Sequence, residues 1–312
     1  MWPTAFHLYR VHDQDVLLDT VPFDEALAEF RFRPVSPREA RRVGWAPPAG
    51  KRSEALSHEI QRHILIAMLK QQRLLPKAVI DEEMAERAEA REASEGQPLS
   101  RQERQLLKEQ VIDELLPQAF TQTKRIDVWW DTANRIIGIN AGSRKAAEEA
   151  LDLLRQSLGS LKVTLLATKT PPSRGMTQWL SDPGSRPASL LLGDRVELRA
   201  AEDDGVVRAQ SVDLDSEEMQ SLLENGRQAS KLAIGIEGLA RLQLHDDLSI
   251  KGLKFDDALL DEASQADDGD DPIVRFETDF ALWSDAMSKV VASLLEWLGG
   301  EADPSAPMEK TP

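Results

Sequence analysis

Arg101, Arg104 and Lys108 recur at i, i+3 and i+7. On a helix that spacing gathers three cations within an arc of about 60°. A few residues on, Leu116-Pro117-Gln118-Ala119-Phe120 is followed by Thr121, Thr123, Lys124 and Arg125. Cations, small hydroxyls and one aromatic ring are the groups that hold phosphates and stack on or wedge between bases. The same residues have a plainer use, with Phe120 in the core and three cations on an ordinary helix surface. On pattern alone both uses stay open.

Other chemistry finds no residues to carry it. The chain lacks the Gly-rich phosphate loops of P-loop and dinucleotide-binding folds, and it lacks Gly-x-Ser-x-Gly. His7, His12, His58, His63 and His245 include no His-Glu-x-x-His pair, and His58 and His63 are five apart, off a common helical face. Asp267-Asp268-Gly269-Asp270-Asp271 lacks the alternating ligands and distal Glu of a calcium loop. Pairs such as Asp203-Asp204 and Asp256-Asp257 are commonplace in an acidic chain. The expectation is a protein that is not an enzyme, with no catalytic residue, no metal site and no cofactor. Cysteine is absent, which excludes disulfides and thiolate chemistry and fits a reducing compartment. No run of about 18 apolar residues suggests a membrane span, and the first residues do not form a secretory signal. A cytoplasmic protein without a membrane partner is expected.

The formal net charge is −16, which by itself argues against a nucleic-acid partner. Its distribution is uneven. Residues 1–175 carry 26 Lys and Arg against 25 Asp and Glu; residues 176–312 carry 12 against 29. The first half is neutral and has room for a basic face, whereas the second is expected to repel phosphates.

The elements that must position these groups read as α+β. Ala5–Val11 suggests a strand and Pro22–Phe30 a short helix. Ser36-Pro37-Arg38-Glu39 has the form of a helix start, with a helix ending before a rigid loop over residues 44–50 in which Trp45 is the anchor. Ile64–Lys70 suggests a strand. Lys77–Glu95 is rich in Ala, Glu and Arg and polar nearly all round, so it is not a core helix. Gly96-Gln97-Pro98 breaks it, and Ser100-x-x-Glu103 starts a second helix that stops at Pro117. The pair predicts a projecting helical hairpin. Arg125–Asp131 and Arg135–Asn140 flank a turn, Ser143 caps a helix to Leu158, and Lys162–Ala167 is a strand. The Pro- and Gly-rich stretch Thr168–Pro187 suggests a boundary. Beyond it come strands near Arg195–Ala200 and Val206–Val212, a helix capped by Asp215, and a meander over Lys231–Phe255. An acidic loop at Ala263–Asp271, a helix over Ala281–Leu298 and a disordered tail complete the chain. The resulting division is a central α+β domain from 1–76 and 117–170, an inserted hairpin at 77–116, an acidic α+β domain at 171–301, and a tail at 302–312.

Eight collinear blocks make the chain resemble the RdgC family of bacterial recombination-associated proteins. They run from Gly44-Trp45-Ala46-Pro47-Pro48 through Leu75-Pro76-Lys77-Ala78-Val79-Ile80 to Leu115-Leu116-Pro117-Gln118-Ala119-Phe120 and Trp130-Asp131-Thr132. They continue through Leu153–Leu161, Thr177-Gln178-Trp179 and Asp213–Glu218 to Ile250-Lys251-Gly252-Leu253-Lys254-Phe255. The resemblance covers roughly residues 2–301. It implies a nucleoid-associated protein, with mixed α/β units and antiparallel sheets closing into a two-fold dimeric ring around DNA. That ring would bind single- and double-stranded DNA without sequence preference and limit RecA-driven recombination. It implies a DNA role for the hairpin and for Phe120. With the basic residues, the expected DNA-binding set is Arg101, Arg104, Lys108, Gln118, Phe120, Lys124 and Arg125. Gln118 stands where a basic residue can occur, and Ser211-Val212 replaces a more polar, basic pair expected near the subunit contact. A ring also accommodates the acidity, since positive potential need only line its inner surface. The competing readings are an acidic protein-interaction scaffold acting without direct DNA contact and, last, a metal-dependent nuclease.

Overall fold

The computed structural model describes residues 2–15, 22–200, 205–265 and 271–303. Two antiparallel sheets and eight helices form the described residues. The first sheet contains β1 (His7–Val11), β2 (Arg41–Ala46), β3 (Ser57–Ile60), β4 (His63–Arg73), β5 (Thr121–Asp131), β6 (Ile136–Asn140) and β7 (Val163–Leu165). Its order is β2-β4-β5-β6-β1-β7, with β3 also paired to β4. β4 and β5 pair along their whole length, from His63↔Asp131 to Arg73↔Thr121.

Both faces of this sheet are covered, so β4 reads as the continuous apolar run Ile64-Leu65-Ile66-Ala67-Met68 rather than as an alternation. Ile126, Val128 and Trp130 pack with Trp45 and Tyr9 beneath α4 (Arg144–Leu158). The α4 helix starts on the Ser143 hydroxyl, which accepts from Ala146 N, and ends at Gly159, whose φ of 73° suits a residue without a side chain. Trp129, Leu65 and Phe6 face the opposite way, where α8 (Pro272–Trp297) brings Phe280, Trp283 and Met287. At Gly138 the chain passes so close to Trp129 and Phe6 that a Cβ would stand 2.8 Å and 2.9 Å from their rings.

The second sheet, ordered β12-β11-β10-β8-β9, contains β8 (Leu190–Arg199), β9 (Val206–Gln210), β10 (Gln228–Ile236), β11 (Ala240–His245) and β12 (Ile250–Phe255). One of its faces buries Val196, Leu198, Leu232, Ile234, Leu242 and Leu244 in a core shared with Met176, Trp179 and Leu180 of α5 (Pro172–Ser181). Reciprocal backbone bonds between Phe6 and Ile250, 2.9 Å each way, tie β1 to the end of β12. The remaining helices are α1 (Phe23–Glu29), α6 (Glu217–Glu224) and α7 (Asp257–Gln265).

The predicted hairpin is present as α2 (Lys77–Glu95) and α3 (Arg101–Leu115). Gly96 ends α2 with a φ of 73°, and Ser100 and Glu103 form the reciprocal cap of α3. Ile80, Leu99, Leu107 and Val111 give the pair a small core of its own.

Several expectations are corrected. Ser36 and Glu39 do make the capping contact, Ser36 N donating to Glu39 Oε2 at 2.8 Å, but it closes a turn and the chain enters β2. Trp45 is a fully buried strand residue, its indole donating to Ser157 Oγ at 2.8 Å. Pairing of β2 with β4 outweighs the local helix signal. Asp215 is not a cap: it accepts from Arg186, and Ser216 caps α6. The Pro-rich stretch at 168–187 holds α5, with Pro172 at its first position, where the missing N–H costs nothing. The last helix starts at Pro272, not Ala281, with Asp271 as its cap. The acidic loop at 263–271 shortens, since α7 reaches Gln265 and residues 266–270 lie outside the described residues. The tail lies outside them from residue 304 on.

Candidate nucleic-acid interface

The β4–β5 ribbon carries the hairpin at its end, and Phe120 sits at the junction. Leu74 N donates to Phe120 O at 2.7 Å, one step beyond the Arg73↔Thr121 pair. The Phe120 ring is 85% exposed and Leu74 beside it 43%, which removes the core reading of Phe120. Arg73 fixes this corner: its Nη1 donates to Pro117 O and Ala119 O at 3.1 and 3.0 Å, and its Nη2 to Ser36 O at 3.3 Å. A large apolar ring is thus held in water by a charged clamp, an arrangement suited to meeting another surface. Gln118 is exposed and folds back on Glu114 O at 3.4 Å.

The hairpin cations are less available than their spacing suggests. Residues 77–115 hold six Lys and Arg against eleven Asp and Glu. Arg104 pairs with Glu92 across the hairpin at 3.1 Å, Arg87 bridges Glu83 and Glu114, and Arg91 holds Glu95. Arg101, exposed, and Lys108, half-buried, make no ion pair among the described residues. Lys124 and Arg125, adjacent in β5, point to opposite faces of the sheet. Lys124 lies opposite Lys70 on the α4 side, where Lys70 pairs with Glu149 at 2.5 Å. Arg125 bonds Asp127 at 2.6 Å and Pro48 O at 2.8 Å on the other side. Only Arg125 therefore shares a face with Thr121 and Thr123.

The densest group of cations lies where sequence reasoning did not look. The open face of the second sheet carries Arg195 and Arg199 of β8, Arg208 of β9, Lys231 of β10, Arg241 of β11, and Lys251 and Lys254 of β12. Seven of the twelve cations in residues 176–312 stand there. Among the strand residues of that face, Glu197 is the only carboxylate. Strand alternation explains most of the pattern. Lys251 and Lys254 share the face because Gly252, at φ 56°, forms a bulge where the register with β11 shifts. Gly193 keeps the face flat, since a Cβ there would meet Ala233 Cβ at 2.7 Å. Glu197, only 5% exposed, holds Lys231 and Arg208 at 2.9 Å each and Arg199 at 3.2 Å. Burial pulls its carboxyl upward, but hydrogen bonds from Lys231, Arg208 and Ser230 outweigh that and hold it at about 2. The half expected to repel phosphates thus carries most of its cations on one face. Alternation of charged or polar with apolar residues, as in Arg195-Val196-Glu197-Leu198-Arg199 and Ala240-Arg241-Leu242-Gln243-Leu244, was the sequence signal that could have revealed it.

At the seam of the two sheets Lys251 Nζ lies 2.9 Å from His7 Nε2 and donates to Ala141 O at 3.1 Å. Burial first, and then the Lys251 charge, push His7 down to about 4, so its ring is neutral at pH 7. Burial also lowers Lys251. Ser211, with φ 57°, and Val212, 43% exposed, leave the end of edge strand β9. Among the described residues no group of three or more His, Asp or Glu stands together as a metal site, and no helix is long and apolar enough to cross a membrane.

Residues 1–301 match the family described as "Putative exonuclease, RdgC". The chain is 37% identical over 302 residues to the recombination-associated protein RdgC of Aeromonas hydrophila, covering 96% of this chain and 99% of the relative. It is 36% identical over 303 residues to that of Yersinia pestis and 35% identical over 303 residues to that of Serratia proteamaculans, covering 97% of this chain and 99% of each relative.

Proposed function

The chain belongs to the RdgC family, and from that premise we propose that it binds single- and double-stranded DNA without sequence preference, as a ring-shaped dimer that limits RecA-promoted strand exchange in the nucleoid. The observation that carries this reading is the open face of the second sheet, where seven cations outnumber the carboxylates they pair with, Glu197, Asp194 and Asp246, in an otherwise acidic half. Such a face meets phosphates rather than base edges, so it gives affinity without a base code. The exposed Phe120 adds a ring that stacks on or wedges between bases. Arg101, Lys108, Lys124 and Arg125 add local contacts, and Arg104 does so only by releasing Glu92. A closed dimer turns cationic faces inward and acidic surface outward, with Ser211-Val212 at one subunit contact. The curated relatives are named as recombination-associated, which fits competition for DNA as the route of action.

Fluorescence anisotropy with unrelated duplex and single-stranded oligonucleotides across a salt series tests the reading. Affinity is expected to fall steeply with salt and to be alike for unrelated sequences. No binding at low salt, or binding confined to one sequence, overturns it and returns the scaffold reading. Light scattering is expected to give a dimer at micromolar concentration. The exonuclease description is tested by incubating end-labelled oligonucleotides with magnesium or manganese; release of nucleotides in step with the protein on a sizing column overturns the proposal of binding alone.

A further inference from the structure

A cavity of about 350 Å³ opens on the Arg125 face of the first sheet, between that sheet, the Pro48–Arg52 loop and α8. That volume falls in the ~300–1,000 Å³ range of small-ligand pockets. Its walls are aromatic and apolar, formed by Phe6, Leu65, Trp129, Phe276 and Trp283. Its rim is charged, with Lys51, Arg52 and Arg125 on the loop and strand side, Asp127 paired with Arg125, and Asp279 on α8. Lys51 and Arg52 are exposed and make no ion pair among the described residues. A second hollow of similar size, about 350 Å³, lies across the Gly50–Arg52 turn, and Lys51 and Arg125 line both. Trp129 is fully buried behind this wall.

We propose that this cavity receives one unstacked nucleotide of single-stranded DNA. The base enters between the Phe276–Trp283 wall and Ala49 and presents exocyclic amines to Asp279. The flanking phosphates lie on Lys51, Arg52 and Arg125, along the line joining the two hollows. Enzymes and binding proteins that take a base out of its stack use such a combination of aromatic walls, a few polar groups and a cationic rim. Paired bases in a duplex cannot enter, so the cavity gives the protein a means of holding single strands in addition to the cationic sheet face. The inference rests on the DNA-binding reading.

The test uses the full chain as wild type, as Lys51→Ala/Arg52→Ala, and as Ala49→Leu, which fills the cavity. Each is titrated against a single-stranded oligonucleotide, a closed duplex hairpin, and a free deoxynucleoside monophosphate read by tryptophan quenching. Both variants are expected to lose about tenfold in single-strand affinity, the scale of one lost base stack with its phosphate contact, with duplex affinity within twofold. The double variant alters only exposed side chains, so it keeps the test valid if Ala49→Leu fails to fold. Equal loss for both DNA forms, or no loss for either, overturns the cavity while leaving the DNA reading intact. If wild type binds neither DNA form, the DNA reading fails. Saturable quenching by the mononucleotide that Ala49→Leu abolishes then supports the cavity with a free nucleotide as its ligand, and its absence overturns the cavity as well.

Discussion

Arg241 and Lys254 are cross-strand neighbours on the open face of the second sheet, exposed and without an ion pair among the described residues. Replacing both by Ala removes two positive charges, leaves Glu197 fully paired and touches no core atom. Each neutralised phosphate contributes about 0.9 to the slope of log K against log salt on duplex DNA. If both side chains meet phosphates, the slope of the double variant is shallower by about 1.8. With the wild-type and variant lines meeting near ~1 M salt, where counterion release no longer drives binding, the variant is weaker by about 60-fold at ~0.1 M. The assay is anisotropy of a labelled duplex over a sodium chloride series, beside a control in which Lys289, paired with Asp285 on α8, is replaced by Ala. The control is expected to follow wild type. An unchanged slope with affinity within twofold at every salt concentration would refute the assignment of this face to DNA.

Phe120→Ala is expected to weaken DNA binding while changing stability by less than about 0.5 kcal/mol, because an 85% exposed ring contributes little to packing. A large drop in urea midpoint counts against that. Arg73→Ala frees three carbonyls at the base of the hairpin and is expected to cost about 1–3 kcal/mol; hydrogen exchange should speed up at residues 116–120 first. Folding lowers His7 from 6.5 to about 4, so below pH 6.5 the unfolded chain takes up a proton that the folded one refuses. Stability is therefore complete above pH 6.5 and falls as pH drops toward 4, by about 3 kcal/mol in all. Urea midpoints from pH 7 to 4.5 should fall less for His7→Gln than for wild type, and identical profiles would contradict the shift. Gly138→Ala forces a Cβ against Trp129 and Phe6 and is expected to cost about 1–3 kcal/mol, seen as a lower Tm.

What was legible in the sequence was local. The hairpin bounds, the Ser100 and Ser143 caps and the Gly96 and Gly159 stops follow from residues within a turn of where they act, and the structure has them where expected. The segment at Ser36–Trp45 failed for the opposite reason. Its capping contact forms, yet strand pairing with β4, more than twenty residues on, decides what the following residues do. The start of α8 was missed because its first turns face His58 of β3, a partner that a helical pattern alone does not show. The basic spacing at Arg101, Arg104 and Lys108 was visible, but Glu92 on the facing helix, which occupies Arg104, was not.

Net charge misled at two scales, for one physical reason. A formal charge sums over a chain, whereas a phosphate feels the few side chains within about a Debye length of ~10 Å. The hairpin looked basic on one helix and is acidic once its second helix is folded against it. The C-terminal half is acidic as a sum and gathers cations on one sheet face, because alternation sends its charged strand positions outward while helices and turns carry most of the carboxylates. The buried Glu197 sharpens this further. Held at about 2 by the cations around it, it stays ionised and spaces three of them across neighbouring strands. Removing it would leave Arg208, Lys231 and Arg199 repelling one another. On this account Glu197→Gln raises the charge of the face by one, yet loosens the arrangement that presents it. Duplex affinity is then expected to rise by less than the several-fold that one added charge gives at low salt, together with a lower Tm. A full-sized gain in affinity with unchanged stability would show that the carboxylate merely offsets charge and does not organise the face.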